Sequence, residues 1–315
     1  MIIFLRVISI YVLIFSSKPS AERSIAGNSG VLFKSSAPIS LNGVNNRVIS
    51  LLDINGGDVN CIDLSNCKNI TIKNCVLHSS TQNGVHLYKC QNIIITNCYI
   101  YDVASGVYVQ GSTAIDVNHN QVKNVHGPYP RGQMVQFNNV TGAGNKVSYN
   151  VCENIERESS AEDAINMYQT NGTAASPIQI IGNQIRGGGP SKTGGGIMLG
   201  DNGGSYMIAE DNILVNPGQY GIAISSGTNI QIINNKIFGR QRPFSNVGLY
   251  IWNQYKSNCS MNIISGNQVK WINAAGKEND KWNAGNCGAV TGWDTNIENA
   301  NINENILPVK IITKL

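Results

Sequence analysis

The stretch "NITIKNCVLHSSTQNGVHLYKCQNIIITNCYI", residues 69–100, contains one phrase twice. An asparagine and a cysteine stand among apolar residues at 72–77, and the same pattern returns 23 residues later at 95–100. Related phrases follow as "IIGNQI" at 180–185, "INNKIF" at 233–238 and "ISGNQV" at 264–269. Because self-similarity at a period of about 20–50 residues is typical of stacked repeats, the chain is interpreted first as a series of short units.

The recurring asparagine marks each unit, with the register at Asn120 and Asn235 open by one or two residues. The nine positions are Asn74, Asn97, Asn120, Asn150, Asn183, Asn212, Asn235, Asn267 and Asn305. Between them lies a short alternating strand, as in "GVHLY" at 84–88 and "GLYIW" at 248–252. The shortest unit cannot hold a strand–helix–strand crossover, which needs about 30 residues, and helical periodicity is absent. The pattern therefore predicts a coil of short parallel strands that stacks on its neighbours.

The phrases at 69–77 and 92–100 resemble the repeat of right-handed parallel β-helix proteins, the pectate-lyase-like superfamily. The resemblance covers about Val48 to Ile306. It implies an all-β, single-domain right-handed parallel β-helix of about nine to ten coils. In such a helix every coil places an asparagine at the same bend with its side chain inward. A column of these amides can hydrogen-bond along the stack, which would explain a buried polar residue in each unit.

The chain ends are expected to lie outside the regular coils. Residues 1–21 are interpreted as a secretory signal peptide, because Arg6 precedes a short apolar run and small residues follow it. A buried first strand or an amphipathic cap is the alternative. Residues 22–315 then form the β-helix domain, with an N-terminal cap at about 22–47 and a C-terminal cap or flap at about 270–315. The expected product is secreted, extracellular or periplasmic, monomeric and without a membrane span.

The cysteine spacing favours free thiols over a disulfide framework. Cys67 and Cys90 are 23 residues apart, and so are Cys75 and Cys98, which places each pair at the same point of successive coils. Buried thiols behave as small hydrophobic groups. A bridge between Cys259 and another cysteine, Cys287, is left open. No Cys-x-x-Cys pair exists, so the sequence does not favour a zinc site.

The charge composition excludes a nucleic-acid partner. Charged residues make up 13% of the chain and the formal net charge is +4. No basic block of the kind found in nucleic-acid-binding proteins is present. The mild positive balance would tolerate an acidic glycan.

Strand alternation predicts two outward rows on the first strand of each coil. The first row is Asp63, His86, Tyr108, Gln136, Asn166, Met198, Ala223 and Tyr250; the second is Ser65, Tyr88, Gln110, Asn138, Tyr168, Gly200, Ser225 and Trp252. Aromatic rings stack on sugars and amides recognise hydroxyls, and the resemblance implies polysaccharide binding along this sheet. The predicted substrate-binding residues are His86, Tyr88, Tyr108, Gln110, Gln136, Asn138, Asn166, Tyr250, Trp252 and Gln254. An ordinary solvated surface is the alternative.

Three long loops, 126–133, 156–163 and 187–196, lead into this face and are the expected place for chemistry. Stacking should bring their side chains together within about 10–15 Å. The predicted catalytic residues are Arg131, His126, Lys192, Tyr168, Glu162 and Asp163. Calcium is a further candidate, held by Glu162, Asp163 and Asp201, since it prefers carboxylate oxygens. The alternatives are a salt bridge of Arg131 with Glu158 or Glu162, and a solvated Lys192.

These residues favour a polysaccharide lyase that cleaves a uronic-acid-containing glycan by β-elimination. A cation such as Arg131 would neutralise the substrate carboxylate, and His126, Lys192, Arg131 or Tyr168 would remove the adjacent proton. A glycoside hydrolase is the alternative, with Glu162 or Asp163 paired with Asp201. A non-catalytic carbohydrate-binding or adhesin β-helix is the third hypothesis. The Gly-His-Gly and Arg-Ile-Lys motifs of polygalacturonases and the Asp-Pro-His motif of mannuronan epimerases are absent.

Overall fold

The computed structural model describes residues 23–24 and 32–312, and this part of the chain consists of 28 strands and two short 3₁₀ helices. In chain order the strands are β1 Arg23–Ser24, β2 Leu32–Ser36, β3 Ile39–Asn42, β4 Asn45–Ser50, β5 Leu52–Gly57, β6 Ile62–Ser65, β7 Lys68–Lys73, β8 Val76–Tyr88, β9 Gln91–Thr96, β10 Tyr99–Gln110, β11 Thr113–Asn118, β12 Gln121–Val125, β13 Val135–Asn138, β14 Lys146–Ser148, β15 Val151–Glu153, β16 Ile165–Asn171, β17 Ile178–Ile181, β18 Gln184–Arg186, β19 Ile197–Glu210, β20 Ile213–Val215, β21 Tyr220–Ile224, β22 Gly227–Ile233, β23 Lys236–Gly239, β24 Val247–Ile251, β25 Cys259–Ser260, β26 Ile263–Ser265, β27 Gln268–Trp271 and β28 Lys281–Asn283. The 3₁₀ helices are η1 Trp293–Thr295 and η2 Glu304–Ile306.

The strands form three parallel sheets around one interior. Sheet A contains β3, β6, the end of β8, the end of β10, β13, β16, the start of β19, β21, β24 and β28. Sheet B follows it in the first nine coils and runs from β4 to β26, and sheet C runs from β2 to β27. Ten strand segments in sheet A correspond to ten coils, so the prediction of a parallel β-helix is confirmed.

The interior is apolar along its whole length. Isoleucine, valine, leucine and cysteine side chains form a single buried cluster that extends from Ile49 to Cys287. The six free cysteines are all buried, as the spacing predicted, and Cys259 and Cys287 are joined by a disulfide. Burial raises the pKa of the Cys61 and Cys152 thiols to about 12, which keeps them protonated and unreactive.

The asparagine column runs from Asn120 to Asn296. Each Nδ2 donates to the Oδ1 of the next asparagine, at 3.1, 3.1, 2.9, 2.9, 2.9 and 2.7 Å. Its members are Asn120, Asn150, Asn183, Asn212, Asn235, Asn267 and Asn296. The column is therefore real over most of the chain, but three of the nine predicted positions are wrong.

The three corrected positions are Asn74, Asn97 and Asn305, which are exposed. The bend requires a left-handed residue followed by an inward-pointing one, and Asn74 and Asn97 take the left-handed place with φ of 50° and 52°. Asparagine tolerates that conformation better than most residues. Cys75 and Cys98 therefore point inward, and the Cys98 amide donates to Asn120 Oδ1 at 3.0 Å.

The first outward row of sheet A is confirmed in register from Asp63 to Tyr250, and Trp282 continues it. The second row is interrupted by a bulge in β19, which places Asp201 opposite Tyr168 where Gly200 was expected. Gly200 has φ of 63°, and a Cβ there would lie 1.9 Å from the Ser226 carbonyl oxygen. Ser225 is buried and donates to the Gly200 carbonyl, so neither residue faces outward.

The two ends depart from the expected boundaries. The coils begin at β2, within the segment 22–47 expected to be a cap, because β3 and β4 already pair with β6 and β7. The C-terminal segment turns back across the outside of sheet C. There Arg186 donates to the carbonyls of Glu304 and Leu307, and the Ile311 and Ile312 amides donate to Glu153 Oε2. The predicted signal peptide, 1–21, lies outside the described residues. No helix within them is long and apolar enough to cross a membrane.

Candidate functional site

A cleft of about 520 Å³ lies on the outer face of sheet A, between the loops 126–133 and 187–196. Nine residues predicted for catalysis, substrate binding or calcium line it: Tyr108, Gln136, Asn138, Glu162, Asp163, Asn166, Tyr168, Asp201 and Gln254. We call this region the carboxylate cleft. The alternation of sheet A explains the convergence, since Gln136 and Asn166 stand directly opposite one another on β13 and β16.

Two carboxylates of the cleft share one amide. Asn166 Nδ2 donates to Asp163 Oδ2 at 2.7 Å and to Asp201 Oδ2 at 2.9 Å. Gln136 Nε2 donates to Asn166 Oδ1 at 2.9 Å and thereby fixes which way the amide faces. Because both donors of the amide are used, the two carboxylates are held side by side on neighbouring coils.

Asp163 is the more enclosed of the pair, with only 9% of its surface exposed. Its Oδ1 accepts hydrogen bonds from the Gly195 amide at 2.9 Å and from the Tyr220 hydroxyl. Burial raises the pKa of Asp163 to about 6, although the bonds from Tyr220, Asn166 and Gly195 act in the opposite direction. Asp163 can therefore carry a proton under mildly acidic conditions.

Asp201 is held from the opposite wall of the cleft. The Tyr255 hydroxyl donates to Asp201 Oδ1 at 2.7 Å. Burial, together with the negative charge of Asp201, raises the pKa of Tyr255, so this tyrosine remains a neutral donor. Its loop, 252–258, is fastened at the base by the Cys259–Cys287 disulfide and by paired bonds between Asn253 and Asn286 at 2.9 and 3.0 Å.

Glu162 and Tyr168 line the same cleft but bind other partners. Glu162 Oε2 accepts from Ser191 at 2.8 Å and from Thr193 at 3.0 Å, which turns the carboxylate towards the third loop. The Tyr168 hydroxyl accepts from Asn202 at 2.9 Å. Among the described residues, no three His, Cys, Asp or Glu side chains come together in a way that could hold a metal ion. Calcium binding stays a prediction, since Glu162, Asp163 and Asp201 line the cleft but do not come together as a set of metal ligands.

The predicted basic residues lie at the edges of the cleft or away from it. Arg131 donates to Gln82 Oε1 at 2.7 Å and lies over the Tyr108 ring at 5.8 Å; its partner is neither Glu158 nor Glu162. Lys192 is exposed at the opposite edge. His126 lies 3.4 Å from Asp102 in a separate depression with Tyr99 and Tyr101. Of the six residues predicted for catalysis, Glu162, Asp163 and Tyr168 line the cleft, Arg131 and Lys192 lie at its edges, and His126 lies apart.

The N-terminal residues predicted to bind substrate, His86 and Tyr88, lie on the predicted rows but outside the cleft. His86 Nδ1 is 2.9 Å from Asp63 Oδ1, and its ring is 5.8 Å from that of Tyr108. Tyr88 pairs in register with Gln110 on the next coil. These side chains extend the face of sheet A by two coils beyond the cleft.

A second depression, of about 510 Å³, continues the cleft towards the C-terminal coils. Thr193, Met198 and Gln254 line both. Its walls are the rings of Tyr250, Trp252 and Trp282, which we call the aromatic bay. Trp282 was missed from sequence because Lys281, the register partner of Leu249, is not apolar, so this strand does not follow the alternating pattern. Tyr220 and Tyr255 were missed too, since neither stands in an outward row.

A family model described as the right handed beta helix region matches residues 37–187. This range covers the strands that build the N-terminal half of the cleft and the start of the asparagine column. The chain is a right-handed parallel β-helix. No curated protein matches the sequence of this β-helix.

Solved structures share the architecture of the β-helix at low identity. An alginate lyase from Paenibacillus sp. str. FPU-7 is 11% identical, with a TM-score of 0.50 over 84% of this chain and 89% of that one. A mutant of DFA-IIIase from Arthrobacter chlorophenolicus A6, in complex with DFA-III, is 11% identical, with a TM-score of 0.50 over 82% and 60%. The catalytic domain of a GH87 alpha-1,3-glucanase in complex with tetrasaccharides is 14% identical, with a TM-score of 0.49. The match covers 84% of this chain and 57% of the glucanase chain. These likenesses show the fold alone.

Proposed function

We propose that the protein is a secreted polysaccharide-cleaving enzyme that hydrolyses a glycosidic bond in the carboxylate cleft. The observation that carries the proposal is the single amide of Asn166, which holds Asp163 and Asp201 side by side. Glycoside hydrolysis uses two carboxyl groups in different states of protonation. The surroundings of the two carboxyl groups differ, because Asp163 is enclosed while Asp201 is partly exposed.

Asp163 acts as the general acid in this mechanism. Its pKa of about 6 allows the protonated carboxyl to donate to the glycosidic oxygen as the bond to the sugar ring breaks. Asp201 supplies the negative charge that stabilises the positive charge developing on the ring. The Tyr255 and Asn166 donors keep its carboxylate oriented.

The spacing of the pair favours a retaining mechanism. Both oxygens lie within 2.9 Å of the same nitrogen, so they are closer than the about 6.5–9.5 Å that leaves room for an attacking water. A retaining pair stands about 5–5.5 Å apart. Asp201 then attacks the sugar, and water later releases it with Asp163 acting as base.

A lyase acting on an acidic glycan is the second candidate. It is favoured by the two cations at the ends of the cleft, Arg131 over Tyr108 and Lys192 at the opposite edge. Either could neutralise a uronate carboxylate before proton removal. Against it, three carboxylates and no Lys, Arg or His side chain are found among the described residues that line the cleft itself.

One screen distinguishes these activities. Neutral and uronic-acid polysaccharides are incubated with the protein, with and without chelator, while reducing ends and ultraviolet absorbance are recorded. Hydrolysis gives reducing ends alone, and elimination also gives an absorbing double bond. Binding without either product would leave a non-catalytic carbohydrate-binding protein and overturn the proposal.

Substitution of the pair links the activity to the cleft. Asp163→Asn and Asp201→Asn should each lower turnover roughly 100- to 10,000-fold. Asp211→Asn is the matched control, because Asp211 is exposed in the bend after β19 with φ of 54°, a conformation that asparagine accepts. Turnover that survives in both cleft variants would remove the pair from the mechanism.

A further inference from the structure

The aromatic bay exposes two tryptophans that the fold has not buried. Trp252 is 42% and Trp282 is 45% exposed, whereas Trp271 is completely enclosed in the interior. The Trp252 and Trp282 rings meet at 71° with centroids 5.9 Å apart, and Tyr250 lies 6.4 Å from Trp282. The two tryptophan rings therefore form a corner that is open to solvent beside the buried Tyr250, a shape that fits a flat ligand with apolar faces.

The floor of the bay is rigid. Met198, Tyr220, Ala223, Val247 and Tyr250 form a hydrophobic cluster of their own, separate from the interior core. Tyr220 packs edge-on against Tyr250 at 5.3 Å. The hydroxyl of the same Tyr220 holds Asp163, so one side chain fixes both the bay and the carboxylate pair.

The rim of the bay is polar and almost uncharged. Gln219, Gln254, Asn246 and Asn279 contribute amides, and Lys192 is the one cation among the described lining residues. Some of these amides are already oriented: Asn279 donates to the Asn246 carbonyl at 2.8 Å, and Gln254 donates to the Tyr250 hydroxyl at 3.2 Å. Amides around an aromatic corner offer donors and acceptors to hydroxyl groups.

A polyanion fits this surface poorly. The adjoining carboxylate cleft carries Glu162, Asp163 and Asp201, and carboxylates repel nearby charges of the same sign. Lys192 alone could not balance a uronate on every ring of a chain. A glycan without carboxylates avoids this repulsion and still stacks on the rings.

We infer that the aromatic bay binds an uncharged sugar ring, and that the substrate is a neutral glycan extending from the carboxylate pair towards β28. This inference rests on the proposed function for the position of the bond that is cleaved. The bay lies three to four coils from Asn166, roughly 14–19 Å along sheet A, so it holds a ring distant from that bond. Its occupation determines affinity and the length of the product.

The test measures binding in the Asp201→Asn variant, in which cleavage should be slow enough for binding to be measured. The probes are hexasaccharides of glucose, xylose and mannose, and the hexasaccharides of galacturonate and mannuronate. Two of the four tryptophans line the bay, so a bound ring should protect part of the fluorescence from acrylamide quenching. Adding Trp282→Ala should weaken binding roughly tenfold, and Trp282→Phe should restore part of it. Adding Tyr149→Ala, which removes an exposed ring outside both depressions, should change nothing.

Protection by a neutral oligosaccharide that is lost in Trp282→Ala supports the inference. Binding of only the uronate oligosaccharides, or unchanged affinity in Trp282→Ala, overturns it. In otherwise wild-type protein, Trp282→Ala should raise KM for the neutral polymer and leave kcat nearly unchanged. Neutral sugar bound in the bay without any cleavage by the wild type would sink the proposed hydrolysis and leave the binding site intact.

Discussion

Asp163 is the proposed general acid, and its surroundings in the cleft determine its pKa. Its carboxyl is enclosed by loop 187–196 and by Tyr220, yet it lines a cleft open to solvent. Such enclosure raises the pKa, and three donated bonds limit the rise. The pKa of a carboxyl group under these opposing influences should shift measurably when one hydrogen-bond donor is removed.

Tyr220→Phe should raise the pKa of Asp163, because it deletes a hydrogen bond that favours the charged carboxylate. The descending limb of the pH–rate profile, expected near pH 6 for a general acid, should move to higher pH. Tyr206→Phe on β19 is the matched control and should keep the original profile. If the descending limb does not move in Tyr220→Phe, the ionisation of Asp163 does not control the reaction rate.

Asp163 should also make the folded protein less stable as the pH rises. Its pKa is about 6 in the fold against 3.8 for an aspartate in the unfolded chain, so between these values the folded state binds more protons. The stabilisation is complete below about pH 4 and is lost as the pH rises through about 6. Urea unfolding measures the free energy of unfolding of the wild type and of Asp163→Asn across this pH window. The dependence of this free energy on pH should be flatter in the variant.

The asparagine column satisfies buried polar groups that lie within the apolar core. Asn183 donates to Asn212 and to the Val147 carbonyl, and accepts from the Asn150 amide. Asn183→Ala leaves these buried groups unpaired and should lower the free energy of unfolding by about 3 kcal/mol. Asn92→Gly removes an exposed bond to Asn69 at a position with φ of 55°, which glycine accepts, and should cost less than about 1 kcal/mol. Equal losses in denaturant unfolding would contradict the role of the column.

The loop 252–258 should depend on its disulfide. Opening Cys259–Cys287, which closes a 28-residue separation, should lower stability by about 2–4 kcal/mol and loosen Tyr255 from Asp201. Activity should fall on treatment with a reductant. The double variant Cys259→Ser with Cys287→Ser should show the lower activity from the start and no further response. Unchanged activity of the wild type in reductant would show that the loop does not contribute to catalysis.

The elements show what the sequence could and could not predict. Strand alternation places Gln136 and Asn166 correctly, because sheet A keeps its register across their coils. In "KNCVL" the sequence cannot say whether Asn74 or Cys75 points inward, since the turn accepts asparagine in its left-handed place. Asp201 enters the cleft through a bulge whose cause is tertiary, the contact of Gly200 with Ser226.

The whole molecule behaves as a stack whose neighbouring coils support one another, so opening should begin at the ends. The C-terminal segment opposes this by returning to Glu153 and Arg186 in the middle coils. Removal of residues 303–315 should speed hydrogen exchange in β15 and β18 and in the last coils. Lys310→Ala, an exposed change in the same segment, should leave exchange as in the wild type. Unchanged rates after truncation would mean that the segment is not a clamp.

The column of amides has an electrical direction. From Asn120 to Asn296 each side chain gives its hydrogen to the next coil and offers its oxygen to the preceding one. Dipoles aligned head to tail add, as they do in a helix. The thiols of the first coils contribute no such dipole, so the interior is polarised from Asn120 onwards, positive towards Asn296.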